Sequence, residues 1–421
     1  MSSSDHAEEN TFMRCTLRGG QLVDAVTDLS PGDLTIDGTR IQFVGVGQLA
    51  EAARDAAGDT PGTVIDATDM ILMPGFIDVH THGGGGYNLQ TTDPQEIQAY
   101  ARWAATTGVT SFLIAVVGVP DGLPEAQLHA AVTAIDEAQE GARPLGIYLE
   151  GPYISPARRG AHPTAWLRAP SDTELARILS LTNGRLRIVT LAPELPGAAT
   201  MIRRLVDAGV TVSMGHTDAT YEQALEAIAL GVTHATHCCN AMRPLHHRDP
   251  GPLGALAQAP QVYGEVIADG VHVHPAMLDI LVKAFGPDRT IVITDALAGA
   301  GYGDLSFDFG GQAAQVIHGV ARLADGTITG SVLTMEQALR NILDMTGVSL
   351  PEAVGMLTRN PAHAAGVADH KGLLRPGYDA DLVVMDSALT LQATYCCGQL
   401  AYATETWRER IGVGVAQLAE E

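Results

Sequence analysis

The chain has 421 residues, 46% hydrophobic and 17% charged, which excludes a disordered or fibrous polymer and provides for a large buried core. Its 48 acidic against 25 basic side chains leave a formal net charge of −23, a field in which neither nucleic acid nor an anionic membrane is an expected partner. No apolar run reaches the roughly 20 residues that a membrane span needs, and the polar, acidic start MSSSDHAEEN is not a signal peptide.

Residues 1–10 read as a disordered tail. From 11 to 73 short strand-like stretches, TLRGGQLVD, LTIDGTRIQFVGVG and TVIDATDMILMPG, alternate with Gly and Asp turns. A similar texture returns over 368–421, in LLRPGYDADLVVMD and LQATYCCGQLAYATET, and the two ends are expected to pair into one small β-sandwich. Between them, over 74–367, apolar strands alternate with amphipathic helices. Eight strands can be picked out: MPGFIDVH, TSFLIAVVG, PLGIYLEG, LRIVTLAPE, VTVSMGHT, VTHATHCCN, GEVIADGVH and RTIVITDA. The expected fold class is therefore α/β, a (β/α)8 TIM-like barrel carrying a β-sandwich built from both termini.

In such barrels reactive side chains gather where the strands end. His80 and His82 end the first strand, Glu150 the third, His216 the fifth, His237 the sixth, His272 the seventh and Asp295 the eighth. Two histidines two apart on a strand share one face, so His80 and His82 can hold a divalent ion together. A solvent-facing pair is the alternative. Glu150 closes the apolar strand IYLEG, where a buried carboxylate needs a partner; an ion pair would serve as well as a metal. His216 and His237 add the imidazole ligands that zinc or iron prefers. His234, three residues before His237, is assigned to packing or to a supporting hydrogen bond, and His246 and His247 to a loop. Asp295 in ITDA can be a catalytic carboxylate or a helix cap, and His162 in ARRGAHP lies in a polar loop where exposed histidines are common.

The motifs PGFIDVHTHG, LEGPYISPARRGAH, GHTDAT, THCCNAMRPLHHRDPG, IADGVH, ITDA, TGSVLTM and NPAHAAG, followed by PGYDADLVVMD, occur in this order along the chain. On them it resembles the N-acetylglucosamine-6-phosphate deacetylases of the amidohydrolase superfamily over nearly its whole length. The resemblance implies metal-dependent hydrolysis of the acetamide of a phosphorylated amino sugar. It assigns a principal divalent ion, zinc or iron, to Glu150, His216 and His237, and a second to His80 and His82 with Glu150 bridging. Asp295 becomes the catalytic acid and base, and His162 orients the scissile carbonyl. The phosphate falls to Asn240, the backbone amide of Ala241, His272 and Arg248, the last reaching across a homodimer interface. The only lysines, Lys283 and Lys371, lie away from the strand ends, so no modified lysine can bridge two ions.

The galactosamine epimer and other amide substrates stay open as alternatives. Cys238 and Cys239 depart from the larger apolar and aromatic residues usual in this family, and read either as small core residues or as thiols beside the metal. Five cysteines without disulfide or metal spacing fit a reducing cytoplasm.

Overall fold

The computed structural model describes residues 14–47, 62–120, 122–138, 140–309 and 312–418. The tail expected over residues 1–10 lies outside them. Eight parallel strands form one sheet in chain order: Phe76–Thr81, Val109–Val117, Arg143–Glu150, Leu186–Leu191, Thr211–Met214, Val232–Ala235, Tyr263–Ile267 and Thr290–Ile293. All eight are those expected from the sequence. Val109–Val117 shows why: VTSFLIAVV is buried at every position, as a strand covered on both faces must be.

The crossover helices begin where side chains satisfy the free amides of a first turn. Asp93 accepts from the Gln95 amide at the start of Pro94–Ala105, with proline in the first turn. Thr220 and Gln223 cap Tyr221–Ala229 reciprocally. The inward faces, such as Ile97, Tyr100, Ala101 and Ala104, join the barrel core.

The first and eighth strands close the barrel through a side chain where a regular ladder is missing among the described residues. Asp78, 1% exposed, accepts from the Thr294 hydroxyl at 2.6 Å and from its amide at 3.4 Å, and the Asp295 amide donates to the His80 carbonyl at 2.8 Å. This seam sets the start of the first strand's His-x-His pair beside the end of the eighth.

Both chain ends share one further sheet. Met70–Pro74 pairs antiparallel with Leu382–Asp386, and Cys15–Val23 bonds to Thr63–Asp66 along its first half and to Met70–Pro74 along its second. The sheet branches there, and its arms enclose one core that includes Leu17, Ile36, Leu72, Val384 and Trp407. This is the expected sandwich from two distant segments. It ends in a helix, Glu405–Leu418, where only strand texture was expected; Gly412 and Gly414 weaken the helical signal. The segment is anchored by Trp407, whose Nε1 donates to the Tyr395 hydroxyl at 3.0 Å.

A second departure follows the eighth strand. Ser306–Phe309, Gln312–Ile317, Val320–Leu323 and Ile328–Gly330 form an antiparallel meander before the last barrel helix, Met335–Thr346. Ile317 faces Val320 across His318 and Gly319, both at positive φ, which is a two-residue primed turn. Ala314 and Leu323 pack on Ala161, and Gln312 donates to the Ala161 carbonyl at 3.1 Å. The meander thereby holds the loop that carries His162.

Candidate active site at the barrel mouth

Glu150 stands at the centre of the mouth, its side chain 5% exposed. Its Oε1 lies 3.1 Å from His216 Nε2 and 3.0 Å from His237 Nε2, and those two nitrogens are 3.1 Å apart. Two imidazole nitrogens and a carboxylate oxygen thus form a small triangle. A tetrahedral divalent ion with bonds of 2.0–2.2 Å holds its ligands about 3.3 Å apart, so the triangle is close to one face of such a shell.

A second group adjoins it. His82 Nε2 is 3.3 Å from both Glu150 Oε2 and Asp295 Oδ1, while His80 Nε2 is 3.6 Å from Glu150 Oε1 and 3.7 Å from Asp295 Oδ1. His80 Nε2 is buried and has no hydrogen-bond partner among the described residues. Such an atom is costly unless something fills the space it faces. His162, 3% exposed, is also close, with Nε2 3.5 Å from Glu150 Oε2. The donor atoms of His80, His82 and Glu150, and those of Glu150, His162 and His216, lie within 4.8 Å of one another. The mouth gathers side chains that could hold a metal ion, and by geometry alone His162, at 3.5 Å, stands about as near to Glu150 as His82 and His80 do at 3.3 and 3.6 Å.

Charge bears this out. Burial would raise the Glu150 carboxyl, yet His80, His162, His216 and His237 together hold it well below the usual carboxylate range. Burial opposes a proton on His82, but Asp295 and Glu150 bring its pKa up to about 9. His216, where burial wins, is pushed down to about 4. Asp295 is held low, against its burial, chiefly by His82 and His80. Ionised carboxylates deep in a low-dielectric mouth demand positive charge, and a bound cation meets that demand.

Backbone geometry marks the same residues. His216, His237 and Asp295 lie two residues past their strands, where the sequence reading had placed them at the ends, and each has positive φ (46°, 27° and 49°). Cys239 and Ala241 are also left-handed, at 76° and 50°. Strain of this kind persists where surrounding structure over-determines it, and the bend turns each side chain inward across the mouth. His272 corrects the reading further: its strand stops at Ile267, and the histidine stands in the following loop, held by Asp269 Oδ2 at 2.6 Å from its Nδ1.

Above the donors is a pocket of about 150 Å³, lined among others by His162, Asn240, Ala241, His272, Asp295 and Thr329. Thr329 comes from the meander and opens the TGSVLTM motif, where the sequence reading gave it no individual role; its buried hydroxyl lacks a partner among the described residues. Arg248 is not part of this pocket. It lies on an exposed loop with Nη1 2.7 Å from His247 Nε2. Cys238 is fully buried in the barrel core and Cys239 partly so. A larger cavity, about 600 Å³, opens between the sandwich and the barrel beside Cys15 and Cys396, away from the histidines.

The sequence reading also passed over Glu265. This residue is 0% exposed on the seventh strand, with Oε2 2.9 Å from His80 Nδ1 and Oε1 2.8 Å from His234 Nε2. The signal was present: a single carboxylate in the apolar run GEVIA, the same cue that singled out Glu150 in IYLEG.

Residues 71–409 match the family model described as the amidohydrolase family. An N-acetylgalactosamine-6-phosphate deacetylase from Escherichia coli is 37% identical, covering 84% of this chain and 94% of its own. An N-acetylglucosamine-6-phosphate deacetylase from Bacillus subtilis is 35% identical over 86% and 93%. A solved structure of an N-acetyl-D-glucosamine-6-phosphate deacetylase mutant from Mycobacterium smegmatis, in complex with N-acetyl-D-glucosamine-6-phosphate, superposes with a TM-score of 0.85 at 35% identity, covering 93% of this chain and 100% of that one. The chain belongs to the amidohydrolase family, with N-acetylglucosamine-6-phosphate deacetylases among its near relatives.

Proposed function

We infer that the protein hydrolyses the acetamide of N-acetyl-D-glucosamine 6-phosphate, giving D-glucosamine 6-phosphate and acetate. The observation that carries this reading is the convergence of Glu150, His216, His237, His80 and His82 beneath Asp295, at the floor of a pocket rimmed by phosphate-binding group types. The relatives' substrates supply the sugar.

Glu150, His216 and His237 would hold the principal ion, and His80 and His82 would help hold a second; zinc is the ion this nitrogen and oxygen set suits best. When bound, the metal supplies Lewis acidity to the acetyl carbonyl and acidifies water. Asp295, held ionised and facing the pocket, would take the proton from the attacking water and return it to the departing amine nitrogen. His162 orients the carbonyl. At the far end Asn240, the Ala241 amide and His272 bind phosphate, and Arg248 completes the site from the second subunit of a homodimer. Its exposure, outside its own chain's pocket, supports that arrangement. Five free cysteines fit a cytoplasmic protein, and no described helix is long and apolar enough to cross a membrane.

The test is acetate release by the metal-loaded protein from N-acetylglucosamine 6-phosphate, its galactosamine epimer and the sugar without phosphate. The first is expected to give the highest kcat/KM. A preference for the epimer would reassign the substrate, and equal activity on the unphosphorylated sugar would remove the phosphate site.

A further inference from the structure

We propose that Glu265 is the residue that builds the second ion position, by fixing the ring orientation and tautomer of His80. The proposal rests on the reading above that His80 is a ligand.

The argument starts from what a buried carboxylate can do. Glu265 Oε2 accepts the His237 backbone amide at 3.1 Å and also faces His80 Nδ1 at 2.9 Å. An oxygen already serving one N–H as acceptor requires the second nitrogen to donate too. His80 therefore carries a hydrogen on Nδ1, which leaves Nε2 as the nitrogen whose lone pair can be offered to an ion. That lone pair is aimed into the space bounded by Glu150 Oε1 and Asp295 Oδ1, at 3.6 and 3.7 Å. Both oxygens are beyond hydrogen-bond reach, and His80 Nε2 stands without a partner among the described residues. Three acceptors facing one small space make a cation position.

The rest of the surroundings fix the ring in place. The Tyr148 ring lies against His80 with centroids 4.4 Å apart, and the Tyr148 hydroxyl is tied to Thr190 at 2.9 Å and Thr236 at 3.0 Å. Glu265 Oε1 is occupied by His234 Nε2 at 2.8 Å, so the carboxylate cannot swing away without breaking a second buried bond. One side chain on the seventh strand thereby couples the first strand, through the His80 ring, to the sixth, through His234 and the His237 amide. A carboxylate behind a ligand histidine raises the ligand's basicity and sets its aim. His216 has no such partner; its Nδ1 faces the Arg158 carbonyl at 3.0 Å. The two ion positions are thus held by different means: Glu265 stands behind the ligand ring at His80, and meets His237 of the principal position through its backbone amide only.

The experiment is calorimetric titration of the chelator-stripped full-length protein with Zn²⁺, in the wild type and in the Glu265→Leu, Glu265→Gln and His80→Ala variants. The wild type is expected to bind two ions. Glu265→Leu binds the second about 10- to 100-fold more weakly and weakens the first far less, through loss of the His237 amide contact alone. Glu265→Gln recovers most of that loss, because its amide oxygen stays on the side where two N–H groups meet it. Two ions at wild-type affinity in Glu265→Leu, with one lost in His80→Ala, would overturn the role of Glu265 and leave the two-ion reading intact. A single wild-type ion indifferent to His80→Ala would overturn that reading and this proposal with it. Long-range ¹⁵N spectra of the zinc-loaded wild type need no variant to fold: His80 protonated at Nδ1 supports the proposal, and His80 protonated at Nε2 rejects it.

Discussion

Two buried clusters of charge in this protein look alike by composition and differ in what they lack. In the sandwich, Asp379, Asp381 and Cys397 lie close enough to hold an ion, but Lys371 occupies the middle. Its ammonium reaches Asp379 at 2.8 Å and bonds Asp381 as well, and the second oxygen of Asp381 accepts the Cys397 amide at 2.7 Å. In the barrel mouth two carboxylates meet five imidazoles with no lysine or arginine paired to them among the described residues, and three ring nitrogens, His80 Nε2, His162 Nδ1 and His237 Nδ1, have no hydrogen-bond partner there. The sandwich cluster brings its own cation and is complete. The mouth presents carboxylates and imidazoles with no fixed side-chain cation among the described residues, a donor set that suits a metal ion.

The sharpest way to break this comparison is at Asp295. Exchanging it for Asn keeps the shape and removes the proton carrier, so kcat is expected to fall by about 10²- to 10⁴-fold with the metal content retained. Loss of metal alongside activity would make Asp295 a ligand and erase the division between holding the ion and moving the proton. The opposite result is expected at Lys371. Lys371→Met leaves the buried Asp381 without its counter-charge, with Asp379 keeping Arg40, a loss of about 3–5 kcal/mol in chemical denaturation, while metal content and KM stay as in the wild type. If metal binding changed instead, the sandwich cluster would not be the closed structural unit described here.

Proton competition separates the clusters more gently. With His82 raised to about 9 by Asp295 and Glu150 against its burial, that ring carries a proton at neutral pH in the metal-free protein and must lose it to bind. Affinity for the ion should therefore rise with pH from neutrality to about 9, by about tenfold per pH unit for each proton displaced. Titrations in buffers of different ionisation enthalpy count those protons directly. An affinity flat between pH 6 and 9 would mean that His82 is neutral and that its carboxylate neighbours act elsewhere.

The sequence made the barrel legible because parallel strands buried on both faces cannot disguise their apolar runs, and because turn residues separate them. It made the ligand types legible as well. Other features depend on contacts that no local window contains. The inward turn of His216, His237 and Asp295 depends on positive φ values that non-glycine residues rarely adopt. The closure at Asp78 pairs positions 216 residues apart. The meander after the eighth strand left a readable trace in V-I-H-G-V-A, a primed-turn pattern of a kind usually sought as Asn-Gly, and Glu265 left the same trace as Glu150. Both were missed by reading strands for their ends and not for their interiors.

The smallest expected effect concerns Cys238 and Cys239, which the sequence left between two readings. The structure puts the Cys238 thiol in the barrel core, where burial raises its pKa well above the usual thiol range, and burial pushes Cys239 up to about 11. A thiolate is the form that binds metal or reacts with an alkylating agent, and at pH 7.5 almost none of either thiol is in that form. Cys238 instead turns from the mouth, its amide bonded to the Glu265 carbonyl at 2.8 Å. Single exchange of either cysteine for Ala should leave zinc content unchanged and kcat/KM within about twofold, while the native protein should resist iodoacetamide at both positions until it is unfolded. Rapid labelling of Cys239 in the folded, metal-free protein that zinc suppresses would place this thiol among the donors, and would move the edge of the mouth cluster one residue past His237.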